Sequence, residues 1–455
     1  ADAVIGGDLV VSNSAAFHIH CGATNQTMEA YSSRVAVDGD AILSTGGWIL
    51  PYSHPLKGGH VQFEMANLRV LDATAGFNAS EKGFAGGQRS MIGYGPGGGA
   101  YMGGGGHGGF GGGWTATQGG VYGTDQEPRE PGSGGGGGDN ASAIGGSGGG
   151  AIVILATGDV LMNGGLLANG GKYAGNGHAA GGAGGGVYID CQTFGGTGGT
   201  VSAVGGQGDY NGGGGGRIAI AYDPVAQSNA PLPSVKFTTL PGTAVGNNKV
   251  YGDVGTLHFP DSQFLTRETG TIRHAGQWKA PGLASWTRDA LALDGAWLRL
   301  LDSMHAVSIS DDIAIKGTDA KLHKLELIAA DVDCGGDIVV DKGWLGVNAG
   351  TASPRSLTCG GSLFATNGAL IHVYGGVTNG TTPEYGLLLD VAGDLVVGAG
   401  SWLHPYSHPT NGASVQINSK NLLIPAAGGG VDGTGRGDDG GRQNAPGFGP
   451  GRGQK

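Results

Sequence analysis

The first 101 residues of the chain occur again at its other end. Residues 1–101 align without a gap with residues 355–455 at a constant offset of 354, and 36 of the 101 aligned positions are identical. The pentapeptide Pro-Tyr-Ser-His-Pro at 51–55 returns at 405–409. Compact enzymes rarely carry such a repeat, whereas proteins built from stacked repeats do. The repeat predicts a modular, elongated protein, either a piece of a longer periodic chain or one subunit of a head-to-tail fibre.

Glycine limits how this chain can be held together. It makes up 101 of 455 residues, and charged residues make up only 13%. Each glycine loses more backbone entropy on folding than any other residue and buries no side chain. A folded chain of this composition must recover that loss through dense backbone hydrogen bonding. Disorder is the alternative for glycine-rich sequence, but short apolar runs recur throughout and the net charge of −11 is modest.

Charge and hydropathy argue against two classes of function. The net charge is −11 and there is no basic block, so nucleic-acid binding is not expected. The longest apolar run, 151–156, is too short to span a bilayer, so no membrane span is predicted. The start Ala1-Asp2-Ala3 resembles a mature N-terminus left by signal-peptide cleavage. We therefore expect a secreted or cell-surface protein.

A short phrase recurs along the chain: glycine, then Asp or Ser, then alternating aliphatic residues. It occurs at 7–11, 39–43, 158–161, 336–340, 361–364 and 393–397. Asp312, Asp337 and Ser362 follow one another at intervals of 25 residues, and Asp394 comes 32 residues later. Coils of about 22–35 residues with short strands and glycine or Asn/Asp turns are typical of a parallel β-helix. In that fold the backbone of each coil pairs with the coils above and below.

The glycines concentrate in one zone. Of the 101 glycines, 52 lie between residues 93 and 216, in runs that alternate with apolar segments such as 151–156 and 217–221. Extended polyglycine helices have no internal hydrogen bonds, so their N–H and C=O groups point outward and can bond neighbouring helices. The zone predicts coils that carry polyglycine excursions packed as a bundle. Floppy surface loops are the alternative.

On this pattern the chain resembles the glycine-rich, pectin-lyase-like β-helix proteins of bacterial surfaces, including autotransporter passengers. Its polyglycine segments are similar to those of glycine-rich receptor kinase ectodomains and of some phage tail-fibre tips. The resemblance implies a right-handed coil and an extracellular role, and it assigns no functional residue. The predicted class is all-β: a right-handed parallel β-helix with an inserted polyglycine II helix bundle.

Five segments follow from this organisation. They are a first β-helix module (1–92), glycine-rich coils with polyglycine excursions (93–222), a proline-containing connector (223–255), further β-helix coils (256–354) and the second copy of the module (355–455).

The repeated Pro-Tyr-Ser-His-Pro motif is the most specific local signal. Its two prolines fix φ at each end of a rigid turn. One interpretation is a sugar-stacking or metal-binding platform, made by Trp48, Tyr52 and His54 in the first copy. The counterparts in the second copy are Trp402, Tyr406 and His408. The other interpretation, which we favour, is a stiff corner whose aromatic rings cap the coil.

Carboxylates at stacked positions raise the question of catalysis. Polysaccharide lyases and hydrolases on β-helices need acid and base groups within a few ångströms of each other. Asp312, Asp337 and Asp394 would stack if the register holds, but each follows a turn glycine, where Asp commonly bonds nearby backbone. We expect turn caps and no catalytic residue. Asp432 to Asp439 could form a calcium-binding turn; the first copy lacks that pattern, and no other metal or cofactor is predicted.

Cysteines and sequons supply the remaining candidates. Cys334 and Cys359 occupy the same phrase one coil apart, and the spacing between strands suits a disulfide. The alternative is that both fill apolar inward positions, because Ile5 stands at the Cys359 position in the first copy. The glycosylation candidates are Asn25, Asn78, Asn140 and Asn379.

These observations together predict a non-catalytic, extracellular structural protein that self-associates head-to-tail into filaments. A β-helix end exposes unpaired backbone edges, and both ends here offer the same sequence pattern. A glycan-binding adhesin is the second hypothesis, and a polysaccharide lyase or hydrolase is the third.

Overall fold

The computed structural model describes residues 2–23, 32–114, 116–175, 177–245, 250–265, 271–300, 305–318, 320, 322–350, 353–381 and 384–438. Strands account for 41% of the chain and helix for 1%, so the predicted all-β class is confirmed. One short helix, α1 (Pro224–Ser228), occurs among these residues. None of their helices is long and apolar enough to cross a membrane. The chain divides into two compact units, Ala1–Phe264 with His274–Pro281, and Leu265–Arg273 with Gly282–Lys455.

The first unit contains nineteen strands among the described residues. They are β1 (Asp2–Ile5), β2 (Leu9–Val11), β3 (Ala16–His20), β4 (Ser33–Val37), β5 (Ala41–Leu43), β6 (Trp48–Tyr52), β7 (Val61–Met65), β8 (Leu68–Val70), β9 (Gly76–Asn78), β10 (Ile152–Ala156), β11 (Asp159–Met162), β12 (Gly165–Leu167), β13 (Gly186–Asp190), β14 (Thr193–Gly195), β15 (Thr197–Ser202), β16 (Arg217–Ala221), β17 (Ser234–Thr238), β18 (Thr256–His258) and β19 (Ala275–Lys279).

Those strands form three parallel ladders in which each strand pairs with its counterpart farther along the chain. The ladders are β1-β4-β7-β10-β13-β16-β18, then β2-β5-β8-β11-β14, then β3-β6-β9-β12-β15-β17, and β19 pairs with both β17 and β18. The predicted connector 223–255 thus includes a strand, β17, in the third ladder.

The second unit repeats this plan with sixteen strands among the described residues. They are β20 (Ser285–Arg288), β21 (Leu291–Asp294), β22 (Trp297–Leu300), β23 (Ala306–Ile309), β24 (Ile313–Lys316), β25 (Lys324–Ile328), β26 (Asp331–Cys334), β27 (Ile338–Asp341), β28 (Trp344–Asn348), β29 (Arg355–Cys359), β30 (Leu363–Thr366), β31 (Leu370–Tyr374), β32 (Leu387–Val397), β33 (Trp402–Tyr406), β34 (Val415–Leu423) and β35 (Gly430–Val431).

Its ladders are again parallel. They run β20-β23-β26-β29-β32-β34, then β21-β24-β27-β30-β32, then β22-β25-β28-β31-β33-β35. The two sequence copies have the same strand layout at the offset of 354: β3 corresponds to β31 and β6 to β33. The internal repeat is therefore a structural repeat.

Alternation along each strand builds a narrow core. In β31, Ile371 and Val373 are fully buried, while Leu370, His372 and Tyr374 on the other face are half-buried. Successive side chains of a strand point to opposite faces, so the register places one aliphatic side chain above another from strand to strand. Leu345, Ile371 and Leu403 make such a column.

The glycine-Asp phrase has a direct structural reason. The Asp312 carboxylate accepts the Asp337 backbone N–H at 2.7 Å, and Asp337 accepts the Ser362 N–H at 2.6 Å. Ser362 Oγ in turn accepts the Asp394 N–H at 3.0 Å. These side chains bond backbone, but the backbone of the next strand, 25 or 32 residues along the chain, rather than that of their own turn. The preceding glycine is needed because a Cβ at Gly361 would overlap the Asp337 carboxylate.

A glycine-rich layer links segments that are distant in sequence. Gly135 donates its N–H to Gly146 at 2.9 Å, and Gly146 donates to Ala180 at 2.9 Å. Gly213 donates to Gly206 at 2.9 Å, and a Cβ there would overlap the Gly182 carbonyl. Residues 132–138 and 148–150 are buried although they carry almost no side-chain atoms. Backbone groups therefore bond sideways from one extended segment to the next in this layer.

Candidate functional site

A group of aromatic rings and charges lies on one outward face of the second unit. It belongs to the third ladder there, where β25, β28, β31 and β33 pair in register. We call this surface the aromatic face and define it by nine outward positions in three rows: Trp344, Leu370 and Trp402; Gly346, His372 and His404; Asn348, Tyr374 and Tyr406. Each row crosses neighbouring strands, which are about 4.8 Å apart.

Tryptophan recurs at every second strand of the first row. Trp297, Trp344 and Trp402 alternate with Lys324 and Leu370. The Lys324 ammonium lies 3.9 Å from the Trp297 ring centroid and 5.2 Å from that of Trp344. Trp297 is only 4% exposed, whereas Trp344 and Trp402 are half-buried. Two indole rings of this row are therefore accessible, two strand spacings apart.

A groove opens over Gly346, in the middle row. Since Gly346 has no side chain, the indole of Trp344 lies across it, where a Cβ would overlap the ring. The groove has a volume of about 400 Å³. Its lining residues are Lys324, Glu326, Leu327, Ile328, Trp344, Gly346, Asn348, His372 and Tyr374.

The carboxylate in this groove is held by its neighbours. Arg299 Nε donates to Glu326 Oε2 at 2.6 Å, and the Trp297 indole N–H donates to the same oxygen. This pair is largely withdrawn from solvent, with side-chain exposures of 15% and 14%. The carboxylate is therefore fixed in place, with its charge balanced by Arg299.

Histidine and tyrosine rings pack beside the groove. Tyr374 and Tyr406 stack with centroids 4.3 Å apart, and His372 and His404 meet edge to face at 4.7 Å. His372 Nδ1 lies 3.1 Å from Tyr374 Oη. Burial, and then the nearby positive charges, lower the pKa of His372 to about 4. Burial raises the pKa of Tyr374. Both rings are therefore neutral near pH 7.

The far end of the aromatic face carries a second paired charge. Arg436 lies 2.7 Å from His404 Nδ1, 3.4 Å from Asp432 and 4.7 Å from the Tyr406 ring centroid. Burial, followed by Arg436, lowers the pKa of His404. Hydrogen bonds from Thr434, and then the charge of Arg436, lower the pKa of Asp432. This end offers a cation already matched by a carboxylate.

The structure separates the predicted motif residues of the second copy. Trp402 and Tyr406 belong to the aromatic face. His408 does not: its Nδ1 accepts backbone N–H groups from Thr410 at 3.3 Å and Asn411 at 3.4 Å. His408 is therefore a turn cap, in keeping with the structural interpretation of the motif.

The first copy has a smaller version of the same arrangement. Tyr52 stacks on His20 with centroids 4.1 Å apart and lies 3.3 Å from His18 Nδ1. Trp48 pairs with Ala16 across the ladder. His54 caps its turn as His408 does, accepting backbone N–H groups at 3.0 and 3.2 Å. Tyr52 therefore stacks on a histidine ring, and the neighbour of Trp48 on the ladder is the small residue Ala16.

The other candidates are placed as follows. Asn78 and Asn140 accept the backbone N–H of the residue two positions later, and Asn379 does so at 3.3 Å. Asn25 lies outside the described residues, as does Asp439 of the predicted calcium turn. Among the residues that the structure describes, no group of three His, Cys, Asp or Glu side chains could hold a metal ion.

Sequence reasoning missed one residue of the aromatic face and two residues of the groove beside it. Trp344, Lys324 and Glu326 precede the second copy and have no counterpart in the repeat alignment. A signal existed: Trp-Leu follows a glycine closely at 297–298, 344–345 and 402–403. Successive side chains of a strand point to opposite faces, so the tryptophan of each dipeptide points outward and the leucine inward. The dipeptide therefore marks the same outward position on three strands.

No match was found to any protein family, to any curated protein or to any solved structure.

Proposed function

We propose that the parallel ladders form a right-handed β-helix and that the glycine-rich layer is a bundle of polyglycine II helices. Strand pairing at intervals of 20 to 39 residues along most steps of the ladders supports the first part; Cys334 pairs with Cys359 and Ile154 with Ile189, for example. Sideways hydrogen bonds between glycine segments, such as Gly135 to Gly146, support the second.

We propose that the aromatic face binds an extended polysaccharide outside the cell. The observation that carries this proposal is the pair of accessible indoles, Trp344 and Trp402, on one face with Gly346 leaving a groove beside them. Aromatic rings offer flat apolar surface to the C–H faces of sugar rings. The spacing of neighbouring strands is similar to the interval between successive sugars in an extended chain, so a polysaccharide running along the ladder would meet one indole at every second sugar.

The charges favour a neutral polysaccharide. Arg299 is paired with Glu326, and Arg436 is paired with Asp432. Cations that already have carboxylate partners contribute little further attraction to an acidic chain, because binding one would require displacing the partner. Asn348 and Lys324 also line the groove.

Binding suits this site better than catalysis. General acid–base cleavage of a glycosidic bond uses two carboxyl groups flanking it. Among the residues that the structure describes, Glu326 is the one carboxylate lining the groove, and one of its oxygens already accepts from Trp297 and Arg299. That oxygen is therefore already engaged by two donors of the protein itself.

Affinity gel electrophoresis in hydroxyethylcellulose and in polygalacturonate tests the proposal. We expect the neutral polymer to retard the full chain more strongly than the acidic one. Trp344→Ala should weaken binding at least about tenfold, as truncating an anchoring ring typically does. The double variant with Trp402→Ala should abolish retardation.

Trp114→Ala is the matched control. Trp114 is 72% exposed in the glycine-rich layer, far along the chain from the aromatic face, so its removal should leave retardation unchanged. Equal retardation of the wild type and the double variant, with both shown to be folded by circular dichroism, would refute binding at this face.

A structural role in end-to-end assembly is the second candidate. The observation that favours it is the second copy of the module, whose first strands β29, β30 and β31 accept β26, β27 and β28 in register. The corresponding strands of the first copy, β1, β2 and β3, have the same layout. They are suited to accept a parallel triplet from another copy of the chain.

Negative-stain microscopy over a range of protein concentrations tests assembly. We expect filaments whose abundance grows with concentration, and Val4→Lys on β1 should suppress them, because charges on edge strands oppose pairing. Val4 is 69% exposed; Val225→Lys, on α1 at 75% exposure, is the control. Single particles at every concentration would argue against this role.

A further inference from the structure

We propose that Cys334 and Cys359 form a disulfide that joins two neighbouring strands of the second unit, β26 and β29. The inference is independent of polysaccharide binding. In the structure both residues are thiols, and their positions are those a cross-strand disulfide requires.

The two cysteines are direct register partners. Cys334 lies opposite Cys359, and both are buried, at 0% and 2% exposure. Ile309 precedes them and Val391 follows them in the same inward column. Neighbouring strands are about 4.8 Å apart, within the range of Cα separations that disulfides have. The Cα separation of these adjacent inward cysteines is therefore compatible with a disulfide.

Their sulfur atoms approach the same carbonyl oxygen. Cys334 Sγ lies 3.7 Å from the Gly336 carbonyl oxygen, and Cys359 Sγ lies 3.4 Å from the same oxygen. A hydrogen bond from Cys334 lowers the pKa of Cys359, and the same contact raises the pKa of Cys334. The two thiols therefore interact directly with each other.

Oxidation by a small disulfide balances in two exchange steps. The Cys359 thiolate attacks oxidised glutathione, forms a mixed disulfide and releases one glutathione thiolate. The Cys334 thiolate then attacks the Cys359 sulfur and releases the second glutathione. Two protein thiols are oxidised, one glutathione disulfide is reduced and two protons pass to solvent. Because both sulfurs are buried, the exchange belongs to folding rather than to the finished protein.

The other two cysteines serve as an internal control. The backbone N–H of Cys191 donates to Ala221, and that of Cys21 donates to Tyr52. Neither cysteine therefore has a second cysteine at the corresponding place on the next strand.

The test is to refold the full chain with oxidised glutathione or with reductant, then denature it in N-ethylmaleimide and measure the intact mass. We expect two adducts after oxidative refolding and four after reductive refolding, with a linked peptide containing residues 334 and 359. The closed loop of 25 residues restricts the unfolded chain, so the oxidised form should melt a few degrees higher.

Two double variants test whether the higher melting temperature comes from this disulfide. Cys334→Val with Cys359→Val, which extends the aliphatic column, should melt at the same temperature under both conditions. Cys21→Ser with Cys191→Ala should keep the shift of the wild type. Four adducts after oxidative refolding, or a linked peptide that contains residue 21 or 191, would overturn the proposal.

Discussion

Replacing Gly361 by alanine tests why glycine precedes the ladder residue in each repeat of the phrase. The Gly361 N–H donates to the Gly336 carbonyl at 2.9 Å, and the next residue, Ser362, donates to Asp337 at 2.6 Å. A Cβ at Gly361 would overlap the Asp337 carboxylate and lie 2.9 Å from the Gly336 carbonyl carbon. The added methyl group therefore displaces either a side chain or the backbone.

The expected cost has two parts. Moving the Asp337 carboxylate aside breaks its hydrogen bond to Ser362, which is worth about 0.5–1.5 kcal/mol net. The overlap with the Gly336 backbone remains and resembles overpacking, which costs about 1–3 kcal/mol. Gly361→Ala should therefore lower the free energy of unfolding of the second unit by about 2–4 kcal/mol.

Urea unfolding followed by tryptophan fluorescence measures this change, with Gly437→Ala as the matched control. Nothing lies within 4 Å of a Cβ at Gly437, so that variant should stay within about 0.5 kcal/mol of the wild type. Because Gly361 and Asp337 share the clash, Gly361→Ala combined with Asp337→Ala should cost less than the sum of the two single changes. If Gly361→Ala were as stable as Gly437→Ala, the close approach would not be the reason for the glycine.

Three further predictions concern stability and order. Burial, and then a nearby arginine, lower the pKa of His60 to about 4, below its unfolded value of about 6.5. Stability is then fully present above pH 6.5 and falls by up to about 3 kcal/mol towards pH 4; His60→Phe should flatten this slope in pH-dependent melting. His408→Ala should lower the free energy of unfolding by about 1 kcal/mol in a melting experiment, as the loss of a cap does, and should leave polysaccharide retardation unchanged. The amides of Gly135 and Gly146, bonded across the glycine-rich layer, should exchange with deuterium over hours; exchange within seconds would mean floppy loops.

Sequence spacing predicted the register where a polar group marks each repeat. Asp312, Asp337 and Ser362 recur at 25 residues, and the structure links them through side chain to backbone N–H. The phrase is recognisable in the sequence because each of its Asp or Ser side chains has the same role. That side chain accepts a backbone N–H of the next strand, and the glycine of that strand leaves room for the side chain. The spacing of these residues along the sequence is therefore the number of residues that separates bonded positions on neighbouring strands.

The aromatic face could not be predicted in the same way. Trp402 and Tyr406 are marked in the sequence because they repeat, whereas Trp344 and Glu326, which line the groove, do not repeat. Whether a ring points outward depends on the register between strands that loops of unequal length separate. His408 is the opposite case: it repeats, which made it a candidate for ligand binding, but the histidine caps a turn in both copies.

Glycine has one physical role in both parts of this protein. At Gly361 the missing Cβ leaves space for a carboxylate, and at Gly213 it leaves space for the Gly182 carbonyl. In each case a backbone N–H gains a partner that any side chain would have kept away. The entropy lost by ordering so many glycines is thus offset by hydrogen bonds that only glycine permits. Replacing a glycine therefore lowers the stability of the fold in proportion to the overlap that the new Cβ creates, and not in proportion to the number of glycines around it.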